Sequence, residues 1–476
     1  MVPRAKCAAT FLESRCENPR GSRGTRFWPA AALTVCLLGL ATQAQQPTVA
    51  ARRPTVSLTL RQAVDLAMQH NRRLRLARLA VEQSKTKQSI AKSNLYPHIS
   101  NQSTALYITE LEGVTIPAGA FGSPSATGLI PGKSVTVGQG ALDAFTSGTG
   151  LAQPLTQFFK IRAGDKAATA DLRSAQYEES DAENSVSLLV HQLYFEILVQ
   201  QAQLEAAKQS VAAAQVAEAE SNKAVSEGSA LEVAALEAHA TTLDQRQSVL
   251  TQQLTIDDAM LQLDDALGLP LGTLLILDAE SVGEAPTIPS RDDAYATVLL
   301  HNPKVLEARQ SVESAKAGLA AARDAYIPDL TGLARYSYQS GVPFLVHNFG
   351  TFGGAFSFDL FDGGAREAKV KQAEIAVEMA ETQLQQTESD IRIQISAAYD
   401  KVERLQQLVS VVQEAYKART EAARVSSEQV AHNEKLESNA AKDTAAAYDT
   451  KASLLEAKLG LFLAENNIQQ ILGELP

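Results

Sequence analysis

The chain has 476 residues, 43 basic and 54 acidic, for a net charge of −11, with 45% hydrophobic but only 5% aromatic residues. That acidic balance argues against binding to a nucleic-acid backbone. So few aromatics over such a length suit close-packed, alanine-rich helices better than a thick globular core.

The N-terminus carries Arg4, Lys6, Arg15, Arg20, Arg23 and Arg26, then an apolar run over 30–40, then Thr42-Gln43-Ala44. This pattern predicts a secretory signal peptide over 1–44, because the run is much shorter than the roughly 20 residues of a membrane span. Cys7, Cys16 and Cys36 all lie within it, so the mature chain is expected to be free of thiols. Val35 is a poor substitute for the small residue that precedes a lipidated cysteine, so Cys36 reads as apolar filler. Without 1–44 the chain keeps 37 basic and 52 acidic residues, a net charge of −15. No later stretch is apolar over a spanning length, so no transmembrane helix is expected.

After an N-terminal linker over 45–57, a first repeat is expected over 58–268. It opens with a helix, read from the spacing of Leu60, Val64, Ala67, Leu74, Ala77 and Val81 and stopped by Pro97. Weakly alternating strands follow near 99–109 and 142–151. The stretch between them, with Pro117, Gly119, Gly122, Pro124, Gly128 and Pro131, reads as an exposed loop. Between Lys166 and Asn222 there is neither proline nor glycine, a helix of roughly 85 Å. Glu227-Gly228-Ser229 then reverses the chain into a second helix ending near Gly268. Residues 269–290, with Pro270, Gly272, Gly283, Pro286 and Pro289, form an inter-repeat linker.

A second repeat over 291–473 follows the same order. Val298, Val305, Ala308 and Val312 mark its opening helix, and Pro328 stops it. Strands over 330–339 and 351–360 alternate clearly. Phe352, Phe356, Phe358 and Leu360 face one way and Thr351, Gly353, Ala355 and Ser357 the other, as a membrane barrel strand requires. Long helices from Arg366 to Gly473 reverse near His432-Asn433-Glu434. A slide of 231 positions lays His70, Asn71, Arg78, Glu82, Lys85 and Pro97 on His301, Asn302, Arg309, Glu313, Lys316 and Pro328. A slide of 205 lays Glu183, Tyr194, Leu231, Glu232 and Gly268 on Glu388, Tyr399, Leu436, Glu437 and Gly473. The copies differ by 26 residues between Pro97 and Pro154, which predicts an extracellular loop near 112–132.

Four strands cannot close a barrel, and an unpaired strand edge in lipid costs several kcal/mol. Two chains would give a barrel filled by side chains, and three would give about twelve strands, enough for a lumen. The expected fold is mostly α with a small β part: two repeats forming long antiparallel helical hairpins, plus four transmembrane β-strands per chain.

At this point the chain resembles the TolC-like outer membrane efflux proteins. His301-Asn302-Pro303-Lys304-Val305-Leu306-Glu307-Ala308 is similar to the family's opening helix motif, Phe358-Asp359-Leu360-Phe361-Asp362-Gly363-Gly364 to its strand-to-helix joint, and Leu236-Glu237-Ala238 to its leucine-acid-alanine segment. The first copy departs from the pattern, with Arg72 after Asn71 and no Asp-Gly-Gly after Pro154, and Asn433 stands where a hairpin glycine is usual. The resemblance implies a homotrimer whose 12-stranded outer-membrane β-barrel continues into a 12-helix periplasmic α-barrel. It also implies docking onto a periplasmic adaptor (a membrane fusion protein) and an inner-membrane pump of RND or ABC type, in tripartite efflux or type I secretion. The localisation implied is the bacterial outer membrane, extending into the periplasm. A periplasmic coiled-coil scaffold and a membrane-fusion adaptor are the rival readings.

No HExxH, GxSxG or Walker motif occurs after residue 44, so no catalytic residue, metal ligand or cofactor is expected. His70 and His301 suit capping or packing, since two isolated ligands do not close a metal site. Asp257, Asp258, Asp264 and Asp265 suit a solvated helix face. Adaptor docking and a periplasmic gate are expected at the hairpin tips: Glu227, Gly228, Leu231, Glu232 and Glu237 in the first, Glu428, Asn433, Glu434, Leu436 and Glu437 in the second. The acids there are either ordinary solvated ends or, under threefold symmetry, rings of carboxylates that select cations.

Overall fold

The computed structural model describes residues 55–109, 112–138, 143–279, 287–341, 346–432 and 434–473. The expected signal peptide, its three cysteines, linker residues 45–54 and Asn433 lie outside them. In chain order the elements are β1 (Thr55–Leu58), α1 (Leu60–His70), α2 (Arg72–Ser93), β2 (His98–Tyr107), β3 (Val114–Ile116), β4 (Val135–Val137), β5 (Asp143–Pro154), α3 (Phe158–Ser226) and α4 (Glu232–Leu267). The second half holds β6 (Leu274–Leu277), α5 (Arg291–His301), α6 (Pro303–Arg323), β7 (Asp329–Ser340), β8 (Asn348–Ser357), α7 (Ala365–Ala431) and α8 (Glu437–Leu472).

The continuous opening helix expected in each copy is corrected to two helices. Asn71 and Asn302 sit at the breaks in extended backbone, and each carboxamide oxygen accepts two backbone N–H groups of the next helix. Each amide nitrogen also reaches across to the end of the repeat, Asn71 to the Ala266 carbonyl at 2.8 Å and Asn302 to the Ile471 carbonyl at 2.7 Å. These buried bonds favour the break over a continued helix. His70 and His301 close the first helices, each ring nitrogen facing a carbonyl one turn back, the capping role expected.

Two apolar cores, one per repeat, lie where the short helices meet the long ones. The first gathers Ala63, Ala67, Val190, Tyr194, Ile197 and Leu263, the second Ala294, Val298, Ile391, Ile395, Ala398 and Ile468. The Tyr194 hydroxyl donates to the Leu58 carbonyl at 3.0 Å and accepts from the Asp278 N–H at 2.9 Å, and Tyr399 donates to the Pro289 carbonyl at 2.9 Å. β1 and β6 pair in parallel beside the first core, so strands run through segments expected as linkers. Asp264 departs from the solvated face expected of it. It is 1% exposed and accepts the N–H groups of Gly272 and Thr273 at 2.8 and 3.1 Å, while burial pushes its carboxyl above the usual range.

β2, β5, β7 and β8 form one antiparallel sheet in that order, so each repeat contributes one hairpin and, among the described residues, the outer edges of β2 and β8 have no partner strand. The long loop between β2 and β5 carries its own small hairpin, β3 with β4, where only loop was expected. The long helices stand in a row, α4-α3-α8-α7, with α2 and α6 beside the upper part of α3. α3 runs 69 residues without a break, roughly 100 Å. No helix among the described residues is long and apolar enough to cross a membrane.

Candidate functional site

The two helical hairpins share one backbone bond at their turns. At the first, Gly228 takes φ +72°, its N–H reaching the Val225 carbonyl at 3.0 Å and the Ser229 N–H the Ala224 carbonyl at 2.9 Å. This closure needs a left-handed residue, which glycine adopts without strain. At the second, the Glu434 N–H reaches the Gln429 carbonyl at 2.9 Å, the counterpart of the Ser229 bond.

Leu231 and Leu436 then stand at the N-caps of α4 and α8 with no side-chain cap, 79% and 62% exposed. The two exposed leucines stand at equivalent positions of the two repeats. Glu232 and Glu437 lie in the first turns behind them, where the helix dipole favours an acid. Glu227 pairs with Lys223 at 4.0 Å, Glu428 pairs with Arg424, and Arg424 also holds Glu421 at 2.6 Å. Glu237 stands higher up, in a shallow cleft with Ser210, Ala213, Thr241, Lys442 and Asp449. The structure thus places the expected residues of each hairpin other than Asn433, which lies outside the described residues, at or near its tip, with several acids held by neighbouring cations or a helix end.

Three contacts near the tips carry no local sequence signal. Glu220 of α3 accepts the Ser438 N–H at 3.0 Å, so the first hairpin supplies the cap that the second lacks. Lys435 joins Asp443 at 2.5 Å and Ser426 at 2.6 Å across the second hairpin, and it holds the Asp443 carboxyl below the usual range. His239 meets Glu218 at 2.8 Å across the first. Glu220–Ser438 and His239–Glu218 pair residues on different helices and Lys435 reaches from the turn onto both helices of its hairpin, so only the folded register brings these groups together.

The two end helices of the row expose apolar seams at heptad spacing. On α4 these are Leu236, Ala240, Leu243, Leu250, Leu254 and Leu261, and on α7 Leu408, Val411, Ala415, Ala418, Ala422 and Val425. A seam of this period is the contact face of a helix that packs on a parallel or antiparallel neighbour. Within the sheet, one face carries Ile99, Phe145, Leu151, Tyr336, Tyr338, Phe352 and Phe356, and the other is mainly small and polar, as the register sets them. Asn101, Ser103, Ser147 and Thr149 interrupt the apolar face but satisfy one another, at 2.8 to 3.4 Å. Among the described residues no group of three or more His, Cys, Asp or Glu side chains is placed to hold a metal ion.

The model of the outer membrane efflux protein family matches residues 63–269 and 294–474. The protein described as probable outer membrane lipoprotein SilC of Salmonella typhimurium is 24% identical over 322 residues, 65% of this chain and 62% of its own length. Cation efflux system protein CusC of Escherichia coli O157:H7 is 22% identical over 322 residues, 65% of this chain and 63% of its own. The alignments therefore span less than two thirds of these relatives. The crystal structure of the Campylobacter jejuni CmeC outer membrane channel superposes with a TM-score of 0.69 at 18% identity, covering 87% of this chain and 85% of that one.

Proposed function

This chain belongs to the outer membrane efflux protein family, is an outer-membrane protein extending into the periplasm, and we propose that it is the exit channel of a tripartite efflux or type I secretion system. In this reading it is a passive duct with no catalytic role. The observation that carries the reading is that sheet and helix row both end in open edges of matching character. Among the described residues the outer edges of β2 and β8 have no partner strand, and α4 and α7 expose apolar seams. Joining β8 to the next chain's β2, and α7 to its α4, satisfies both edges at once. Three copies of a four-stranded sheet would close a barrel of about twelve strands with a lumen, continued by a cylinder of long helices. The apolar sheet face then meets lipid and the polar face lines the duct.

The hairpin tips, farthest from the sheet, are the docking and gating end, for a periplasmic adaptor and an RND or ABC pump. A periplasmic scaffold or an adaptor would leave the aromatic face of the sheet without a role. Leu231→Asp tests the docking end. Aspartate is a better N-cap than leucine, so the turn should persist while the apolar contact is lost. Export should fail in cells that still contain the assembled channel. Normal export by this variant would remove the tip from the docking surface.

A further inference from the structure

Within the four strands of the main sheet Arg335 is the only lysine or arginine, and the acids Asp143 and Asp329 stand at strand starts. Arg335 therefore holds the one charge in the strand interiors. The register places it opposite Gly150 and Thr351, on the face with Thr146, Gly148, Ser337 and Gln339 and away from Tyr336, Phe352 and Phe356. Its guanidinium lies against the sheet over Gly148: a Cβ built there would fall 2.5 Å from Nε and 2.8 Å from Cζ of Arg335. The absent side chain at Gly148 is thus what lets a long cation lie flat along the wall. Arg335 has no ion-pair or hydrogen-bond partner among the described residues, so its charge is not neutralised there.

From this placement, and resting on the trimeric reading above, we infer that Arg335 forms a ring of three guanidinium groups around the outer-membrane part of the duct and favours the passage of anionic solutes. Rings of arginine or lysine are what anion-conducting pores use. Flat against the wall, the ring acts through its field without narrowing the lumen. That field reaches about 30 Å at 0.01 M salt and about 3 Å at 1 M, so the selectivity it confers belongs to low ionic strength. The remainder of the chain is acidic, which makes this ring the opposing element at the exit.

The test is the reversal potential of the purified full-length protein in planar lipid bilayers under a potassium chloride gradient. Arg335→Gln should lower the chloride-to-potassium permeability ratio about twofold in dilute salt and leave it unchanged near 1 M, where screening is complete. Arg335→Glu should lower it further, and Arg335→Lys should retain it. Gly148→Ala, which displaces only the flexible end of Arg335, should lift the cation into the lumen and reduce single-channel conductance. Equal permeability ratios in wild type, Arg335→Gln and Arg335→Glu, with channels of normal conductance, would overturn this role and leave the channel reading intact. A wild-type protein that forms no channels would overturn both.

Discussion

At the end of each repeat a single glycine lets the chain turn against its own opening helix. Gly268 and Gly473 take φ +70° and +78°, and a Cβ there would fall 2.6 Å from the His70 carbonyl oxygen and 2.7 Å from that of His301. Gly268→Ala therefore meets both a left-handed strain and a backbone collision, a cost of about 1–3 kcal/mol. Gly164→Ala, within α3 and with nothing within 4 Å of its Cβ position, should be neutral or stabilising. The temperature at which the assembly dissociates should fall for the first variant and hold or rise for the second.

Glu465 is 8% exposed, its Oε2 has no hydrogen-bond partner in the structure, and burial raises its carboxyl above the ordinary value of 4.5. A raised acid favours the folded state while protonated, and this contribution is lost as pH rises through the folded value. Glu465→Gln should thus stabilise the protein at neutral pH and give no gain below pH 4.5, the ordinary value, in melting curves at the two pH values. The repeat made the equivalence of His70, Asn71 and Gly268 to His301, Asn302 and Gly473 legible, though not the helix break that Asn71 makes. The burial of Asp264 was not legible, since it depends on the loop before β6 folding over it.

At the scale of elements, the proposed assembly rests on the seam residues. Leu250 on α4 is 62% exposed and Val411 on α7 65%, and each lies on a face that no helix of the same chain covers. Leu250→Glu or Val411→Glu buries a charge in the proposed contact between copies, which costs several kcal/mol. Either should yield monomers that keep their helical circular dichroism, and assembly at the wild-type level would refute the seams. The long helices could be read from the sequence because proline is absent within them and glycine is rare, at Gly164 in α3 and Gly460 in α8. The break at Asn71 was harder, because asparagine followed by arginine does not by itself stop a helix. In the second copy Pro303 follows Asn302 at the first position of the next helix, and the apolar spacing from Val298 to Val312 still read as one helix. β1 and β6 were missed because four-residue parallel strands carry no periodicity of their own and exist only through a distant partner.

At the scale of the whole molecule, the described sheet ends in the outer edges of β2 and β8 and the row of long helices ends in α4 and α7. Among the described residues no strand satisfies the outer N–H and C=O groups of β2 and β8, and in lipid each unpaired group costs several kcal/mol. Closure by copies is therefore the central claim, and the mass of the detergent-extracted complex tests it most directly. With the detergent contribution subtracted, the protein should weigh about three chains, each near 50.9 kDa before any leader is removed. A stable monomer or dimer that still conducts or exports would contradict the account.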